Sequence, residues 1–149
     1  MRADDASSQA RPLYASPVAL VLVLIGGALG TAVRASLAEA FPPADGAWPW
    51  ATFTVNVVGS FLLGALVAAV SGREVGRLRY VRPALGAGVL GGFTTYSTFA
   101  VEVDRLVSGG ALGLGLAYAV LSVVLGVLAA AAGVLVGGGM RPPAQEGER

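Results

Sequence analysis

Residues 91–99 read Gly-Gly-Phe-Thr-Thr-Tyr-Ser-Thr-Phe, and they interrupt an apolar segment that is otherwise long enough to cross a lipid bilayer. Lipid cannot hydrogen-bond a loosened backbone, so such a break is tolerated only where protein buries it or where it lines a polar cavity. Broken membrane helices also free carbonyl and amide groups that can bind ions. This stretch, called the break below, is therefore the first candidate for the working site.

The composition around the break is that of an integral membrane protein. Of 149 residues, 55% are hydrophobic and only 13% are charged, and the apolar residues fall into long separate blocks. The chain contains no cysteine and no histidine, which excludes disulfides, thiol chemistry and every histidine-dependent catalytic triad. Because no histidine can activate a serine, an intramembrane hydrolase is not favoured, and we expect no enzyme. A net charge of +1 provides no basic stripe for phosphates, which argues against nucleic acid as a partner.

Four apolar blocks predict an all-α integral membrane domain over residues 17–137. The expected transmembrane helices lie at about 17–37, 50–70, 83–106 and 111–136. Each block is long enough for a helix to cross about 30 Å of hydrocarbon. The third helix contains the break near its middle. The polar segments 1–16 and 138–149 are predicted to be disordered tails.

The arginines predict the orientation of these helices. Eight of the ten lie in the two tails or in the loop between the second and third helices, and only Arg34 and Arg105 lie on the other side. The positive-inside rule then places both termini in the cytoplasm, in a multi-pass protein of the cell membrane.

Two polar residues in the first and second helices allow two interpretations each. Asn56, about a turn and a half into the second helix, forms an interhelical hydrogen bond or supplies donors that replace water around an anion. Arg34, near the end of the first helix, reaches the headgroups or raises the anion concentration at a pore mouth. The residues alone leave both choices open.

The third and fourth helices carry polar and aromatic side chains at helical spacing. Tyr96 and Phe99 share a face, which is typical of packing, although ring edges can also face a small anion. A track of hydroxyl groups across the membrane could be formed by Tyr118, Ser122, Ser97 and Thr98. Each pair is weak evidence alone and stronger beside the break and Asn56.

The acidic residues bear on rival functions. Glu102 and Asp104, with Arg105 beside them, are expected to form a solvated pair near the end of the third helix. No acid is expected at mid-depth in a helix, which counts against proton-driven transport. A small four-helix drug exporter of the inverted-dimer type would need a glutamate in its first helix, and none is present. A non-conducting assembly subunit would explain the glycines but not Asn56 and the hydroxyl-rich break.

Three stretches of the chain resemble the signature sequences of the Fluc fluoride channels, also called CrcB proteins. They are Gly-Gly-Ala-Leu-Gly at 26–30 followed by Arg34, Thr-Val-Asn-Val-Val-Gly-Ser-Phe-Leu-Leu-Gly at 54–64, and the break at 91–99. The resemblance covers about residues 18–136. It implies a channel that exports fluoride from the cytoplasm down its electrochemical gradient, lowering fluoride toxicity. It also implies an antiparallel dimer of four-helix subunits.

The resemblance implies roles for individual residues as well. A structural sodium ion at the dimer centre would be bound by backbone carbonyls at Gly91 and Thr94. Arg34 would correspond to the vestibule arginine, and Glu102 to the acid that follows the break. The anion pathway would be lined by Asn56, Tyr96, Phe99, Ser97, Thr98, Tyr118 and Ser122.

Two features depart from the family pattern. The first pore phenylalanine is replaced here by Tyr96, which adds a hydroxyl group where the anion would pass. Members of the family that insert in both orientations should have nearly balanced loop charges, whereas this chain has eight arginines on one side and two on the other. The hypothesis is therefore a two-gene pair, in which a different, paralogous chain supplies the second subunit in the opposite orientation.

Overall fold

The computed structural model describes residues 16–71 and 79–139. Within these residues all the regular secondary structure is helical and no strand is present, which confirms the predicted all-α class. The elements are α1 (Pro17–Ala40), α2 (Trp50–Val70), a π-helix (Arg82–Leu90), α3 (Gly91–Phe93), α4 (Ser97–Ser108) and α5 (Leu112–Gly139). Apart from their innermost residues, the two predicted tails lie outside the described residues, as do the loop arginines Arg73 and Arg77.

Three helices of the described ranges, α1, α2 and α5, are long and apolar enough to cross a membrane. They contain 24, 21 and 28 residues, and about 20 residues suffice to span the hydrocarbon core. They lie over the first, second and fourth apolar blocks of the sequence. The chain is therefore a membrane protein.

The third apolar block forms shorter pieces. The π-helix has Pro83 in its first turn and runs directly into the single turn of α3. Helical geometry stops at Thr94, whose backbone is extended with φ −79° and ψ 159°. It resumes in α4 at Ser97, so residues 94–96 separate two helical segments.

Glycine residues bring the backbones of α2 and α5 into close contact. A Cβ atom on Gly133 of α5 would collide with the carbonyl oxygen of Phe61, and one on Gly64 of α2 would collide with that of Ala130. Small residues permit such close packing where the surrounding lipid offers no hydrophobic drive for association. The same holds between α1 and the π-helix, where Gly30 lies against the Val89 carbonyl.

Very little of this chain is buried within itself. The buried hydrophobic side chains of the described residues are Ala19, Val55, Ala68, Leu106 and Tyr118. Large apolar side chains along α1 and α5, such as Leu24 and Leu135, are exposed. Most of the apolar surface therefore faces outward, as in a chain surrounded by lipid or by another subunit.

Candidate functional site

A groove opens beside the break, between α2, α4 and α5, with a volume of about 290 Å³. Its lining residues are Asn56, Gly59, Ser60, Leu63, Thr94, Thr95, Tyr96, Phe99, Ser122 and Val123. The groove thus brings together four of the residues predicted for the anion pathway, which are Asn56, Tyr96, Phe99 and Ser122. No carboxylate lines it.

Asn56 joins α2 to the break through both ends of its amide. Its Nδ2 donates to the carbonyl oxygen of Thr95 at 2.9 Å, and its Oδ1 accepts from the backbone N–H of Thr95 at 2.9 Å. Of the two open interpretations, the interhelical hydrogen bond is therefore present. A carboxamide has two N–H donors, so one donor is left over for a ligand in the groove.

Arg34 also contacts the break. Its Nε donates to the carbonyl oxygen of Gly92 at 3.2 Å, and the hydroxyl group of Thr31 approaches the same oxygen at 3.4 Å. The side chain also borders a small cavity of about 40 Å³ that Thr95 and Thr98 line. Arg34 is therefore half-buried beside the break.

The free carbonyl oxygens of the break are suitable ligands for the predicted cation. No described residue donates a hydrogen bond to the carbonyl oxygen of Gly91 or of Thr94. Uncharged carbonyl oxygens are the ligands that replace water around monovalent cations in ion channels. Gly91 is also exposed in this chain.

The aromatic residues form a row that leads from the groove into the protein. The ring centroids of Tyr96 and Phe99 are 5.9 Å apart, and those of Phe99 and Tyr118 are 5.3 Å apart. Tyr96 is 80% exposed, whereas Tyr118 is completely buried. Phe99 therefore separates Tyr118 from the groove.

Glu102 is buried, and the prediction of a solvated pair is wrong for this residue. It lies inside α4 and is 9% exposed. Thr52 donates to its Oε1 at 2.7 Å and Tyr118 donates to its Oε2 at 2.7 Å. Because both carboxylate oxygens have hydrogen-bond partners, the side chain is stable away from water. Asp104, by contrast, is exposed as predicted.

Thr52 is a site residue that the sequence interpretation missed. It lies one turn before Asn56 on α2, so the two side chains share a face. That spacing was the available signal. A threonine alone is too common in membrane helices to single out without its acidic partner.

The predicted hydroxyl track is divided between separate places. Ser97 and Thr98 contact the hydroxyl group of Thr95 at 3.3 and 3.1 Å, and neither lines the groove. Tyr118 is turned toward Glu102. Ser122 alone of the four faces the groove, and its buried Oγ has no hydrogen-bond partner among the described residues.

A family profile described as "CrcB-like protein, Camphor Resistance (CrcB)" matches residues 21–134. The chain belongs to the CrcB family. The matched region includes every residue of the candidate site, from Arg34 to Ser122.

Relatives in the CrcB family resemble this chain over most of its length. The "Fluoride-specific ion channel FluC 2" of Leifsonia xyli subsp. xyli is 44% identical over 128 residues, which cover 85% of this chain and 88% of the relative. The FluC 1 protein of Mycobacterium tuberculosis is 47% identical over 110 residues, covering 74% and 83%. The FluC protein of Deinococcus radiodurans is 48% identical over 115 residues, covering 76% and 90%. All three are named as fluoride-specific ion channels.

Proposed function

We propose that this chain forms a fluoride-selective ion channel that exports fluoride from the cytoplasm down its electrochemical gradient and lowers its toxicity. The observation that carries the proposal is the groove at the break, which offers donors and aromatic edges and no carboxylate. Three relatives named as fluoride-specific channels support it. None of those names favours a drug exporter or a non-conducting subunit.

The groove suits a small, strongly hydrated anion. Such an ion leaves water only if closely spaced donors replace its hydration shell. The free N–H of Asn56 and the unpartnered hydroxyl group of Ser122 are two such donors. The edges of Tyr96 and Phe99 carry partial positive charge and can act as weaker ones. Passage needs several weak sites rather than one strong site, because the ion must also leave.

The broken segment provides the fourth membrane crossing in this proposal. The π-helix and α3 lead to the break, and α4 leads away from it, over residues 82–108 together. Unpaired backbone groups between two such half-helices are tolerated at membrane depth where they line a cavity or are buried in protein. Thr94, Thr95 and Tyr96 line the groove and fit this condition. The positive-inside rule then places both termini in the cytoplasm.

A second subunit completes the proposed channel. The exposed apolar surface and the exposed position of Gly91 fit an antiparallel dimer whose two chains meet at the break. Sodium bound by the carbonyl oxygens of Gly91 and Thr94 would supply a positive charge that holds the two backbones together. The arginine bias fits a partner of opposite orientation, and the numbered names FluC 1 and FluC 2 among the relatives fit a two-gene pair.

Fluoride efflux from liposomes tests the channel. The protein is isolated with any partner chain retained, reconstituted, and followed with a fluoride electrode. We expect fluoride efflux without chloride efflux. Asn56→Leu removes the amide and keeps a branched side chain with the same number of heavy atoms. It should slow efflux about 5- to 150-fold, since a lost polar partner costs about 1–3 kcal/mol.

Thr54→Val is the matched control for this exchange. Thr54 lies on the same helix, is exposed, and forms no hydrogen bond through its side chain among the described residues. Its efflux should equal that of the wild type. Absence of fluoride efflux from the wild-type protein would contradict the proposed function, and unchanged efflux in Asn56→Leu would remove Asn56 from the pathway.

A further inference from the structure

At the break, the side chains of Asn56 and Thr95 accept hydrogen bonds from two backbone N–H groups that would pair with backbone carbonyls in a continuous helix. In an α-helix the N–H of each residue bonds the carbonyl four residues earlier, so the N–H of Thr95 would serve Gly91 and that of Thr98 would serve Thr94. In this structure the N–H of Thr95 donates to Asn56 Oδ1 at 2.9 Å. The N–H of Thr98 donates to Thr95 Oγ1 at 3.2 Å.

Three of the six carbonyl groups from Leu90 to Thr95 accept hydrogen bonds. The Leu90 oxygen accepts from both the N–H and the hydroxyl group of Thr94 at 3.0 Å. The Gly92 oxygen accepts from Arg34, and the Thr95 oxygen accepts from Asn56. Between Leu90 and Thr95, only the carbonyls of Gly91, Phe93 and Thr94 accept no hydrogen bond from a described residue.

We propose that Asn56 and Thr95 are positioning residues of the cation site. Asn56 keeps the Gly91 carbonyl open by holding the N–H of Thr95. The hydroxyl group of Thr95 keeps the Thr94 carbonyl open by accepting the N–H of Thr98 in the first turn of α4. The proposal rests on the sodium site proposed above. Asn56 then has a role at the cation site in addition to its role in the anion pathway, and Thr95 has a role at the cation site alone.

The physical reason is that one lone-pair direction cannot serve a hydrogen bond and a cation equally well. If the N–H of Thr98 returned to the Thr94 carbonyl, that oxygen would be neutralised in part and turned toward the axis of α4. An unpaired carbonyl group away from water is costly. In the wild-type protein a bound cation would remove this cost. Without the hydroxyl group of Thr95, the N–H of Thr98 would pair with the Thr94 carbonyl instead. The cation-free form would then be stabilised, and cation binding would be weaker.

The experiment compares Thr95→Val with Thr95→Ser in the assembled, detergent-solubilised protein. The first variant has the same shape and no hydroxyl group, and the second keeps the hydroxyl group. The measurement is the sodium concentration that produces half of the sodium-dependent rise in Tm, with N-methylglucamine as the replacement cation. We expect this concentration to increase about tenfold in Thr95→Val, equivalent to about 1.4 kcal/mol, and less than about threefold in Thr95→Ser.

Thr54→Val again serves as the control, because it makes the same exchange on a side chain without a hydrogen bond. An unchanged sodium midpoint in Thr95→Val, or equal shifts in both Thr95 variants, overturns the proposal. If Thr95→Val does not fold, Thr95→Ala lacks the same hydroxyl group and takes its place. Asn56→Leu should also raise the midpoint, since it releases the N–H of Thr95.

Failure of this inference is distinguishable from failure of the channel. A wild-type Tm that does not respond to sodium overturns the cation site and this inference with it. Fluoride efflux by the wild-type protein is measured separately, so a channel without a sodium response would still be recognised as a channel.

Discussion

Two tyrosines beside the groove differ in what their hydroxyl groups contact. Tyr96 is 80% exposed, and its hydroxyl group forms no hydrogen bond with a described residue. Tyr118 is completely buried and donates to Glu102 at 2.7 Å. The same exchange to phenylalanine should therefore have unequal effects at the two positions.

Tyr118→Phe removes a donor from a buried carboxylate. We expect it to lower the free energy of unfolding by about 1–3 kcal/mol, because an oxygen of Glu102 loses its partner away from water. Tyr96→Phe should change this free energy by less than about 0.5 kcal/mol. Thermal unfolding in detergent measures both. Equal losses in the two variants would mean that the bond between Tyr118 and Glu102 does not contribute.

Glu102 shows how far single residues can be interpreted from sequence. Its neighbours Asp104 and Arg105 are charged, which is typical of a solvated helix end. Its partners Thr52 and Tyr118 lie 50 and 16 residues away, and only the packing of α2, α4 and α5 brings them together. Burial of an acid depends on such distant donors, so no local pattern could indicate it.

At the scale of the helices, α5 contains glycines with opposite surroundings. A Cβ atom on Gly133 would collide with the backbone of Phe61 in α2, whereas one on Gly113 would have no atom within 4 Å. Close packing of α5 against α2 therefore depends on Gly133 and not on Gly113. The two glycines provide a matched pair within one helix.

Gly133→Ala should lower the free energy of unfolding by about 1–3 kcal/mol, because backbone atoms cannot move aside as a flexible side chain can. Gly113→Ala should be neutral or stabilising by up to about 1 kcal/mol, since alanine favours the helix. Thermal unfolding of both variants in one detergent checks the difference. A Gly133→Ala protein as stable as the wild type would show that α2 and α5 are not held this close.

The elements differ in how well the sequence predicts them. Length and hydropathy suffice for α1, α2 and α5, because twenty apolar residues in a membrane have few alternatives to a helix. The π-helix at Arg82–Leu90 has no comparable signature in the sequence. The position of the break could be predicted from its glycines and hydroxyl groups. The hydrogen bond from the N–H of Thr95 to Asn56 could not be predicted, because it depends on where α2 lies relative to the break.

At the scale of the whole molecule, the arginine bias predicts dependence on a partner. If this chain takes one orientation only, it cannot supply the inverted subunit itself. Expressed and purified alone, it should give little stable dimer and at most weak fluoride efflux. Co-expression with a CrcB paralogue whose loop arginines favour the opposite orientation should restore both the dimer and the efflux. Size-exclusion chromatography and liposome efflux, run on the same samples, measure the two properties.

Cross-linking of cysteines introduced at Gly91 tests whether the two chains of the proposed dimer meet at this position. The position is exposed and would face its counterpart across the proposed dimer centre. Stable dimers with full efflux from this chain alone would refute the two-gene hypothesis while leaving the channel itself in place.

The scarcity of buried side chains has a consequence for how much of this protein a cell must make. With five hydrophobic residues enclosed by the described chain, the proposed dimer would draw much of its stabilising contact from association. Its stability would then depend on subunit concentration through mass action, in the two dimensions of the membrane. A cell that makes few copies, or unequal numbers of two paired chains, would leave the surplus subunits exposed to membrane proteases, so the abundance of one chain would set that of the other.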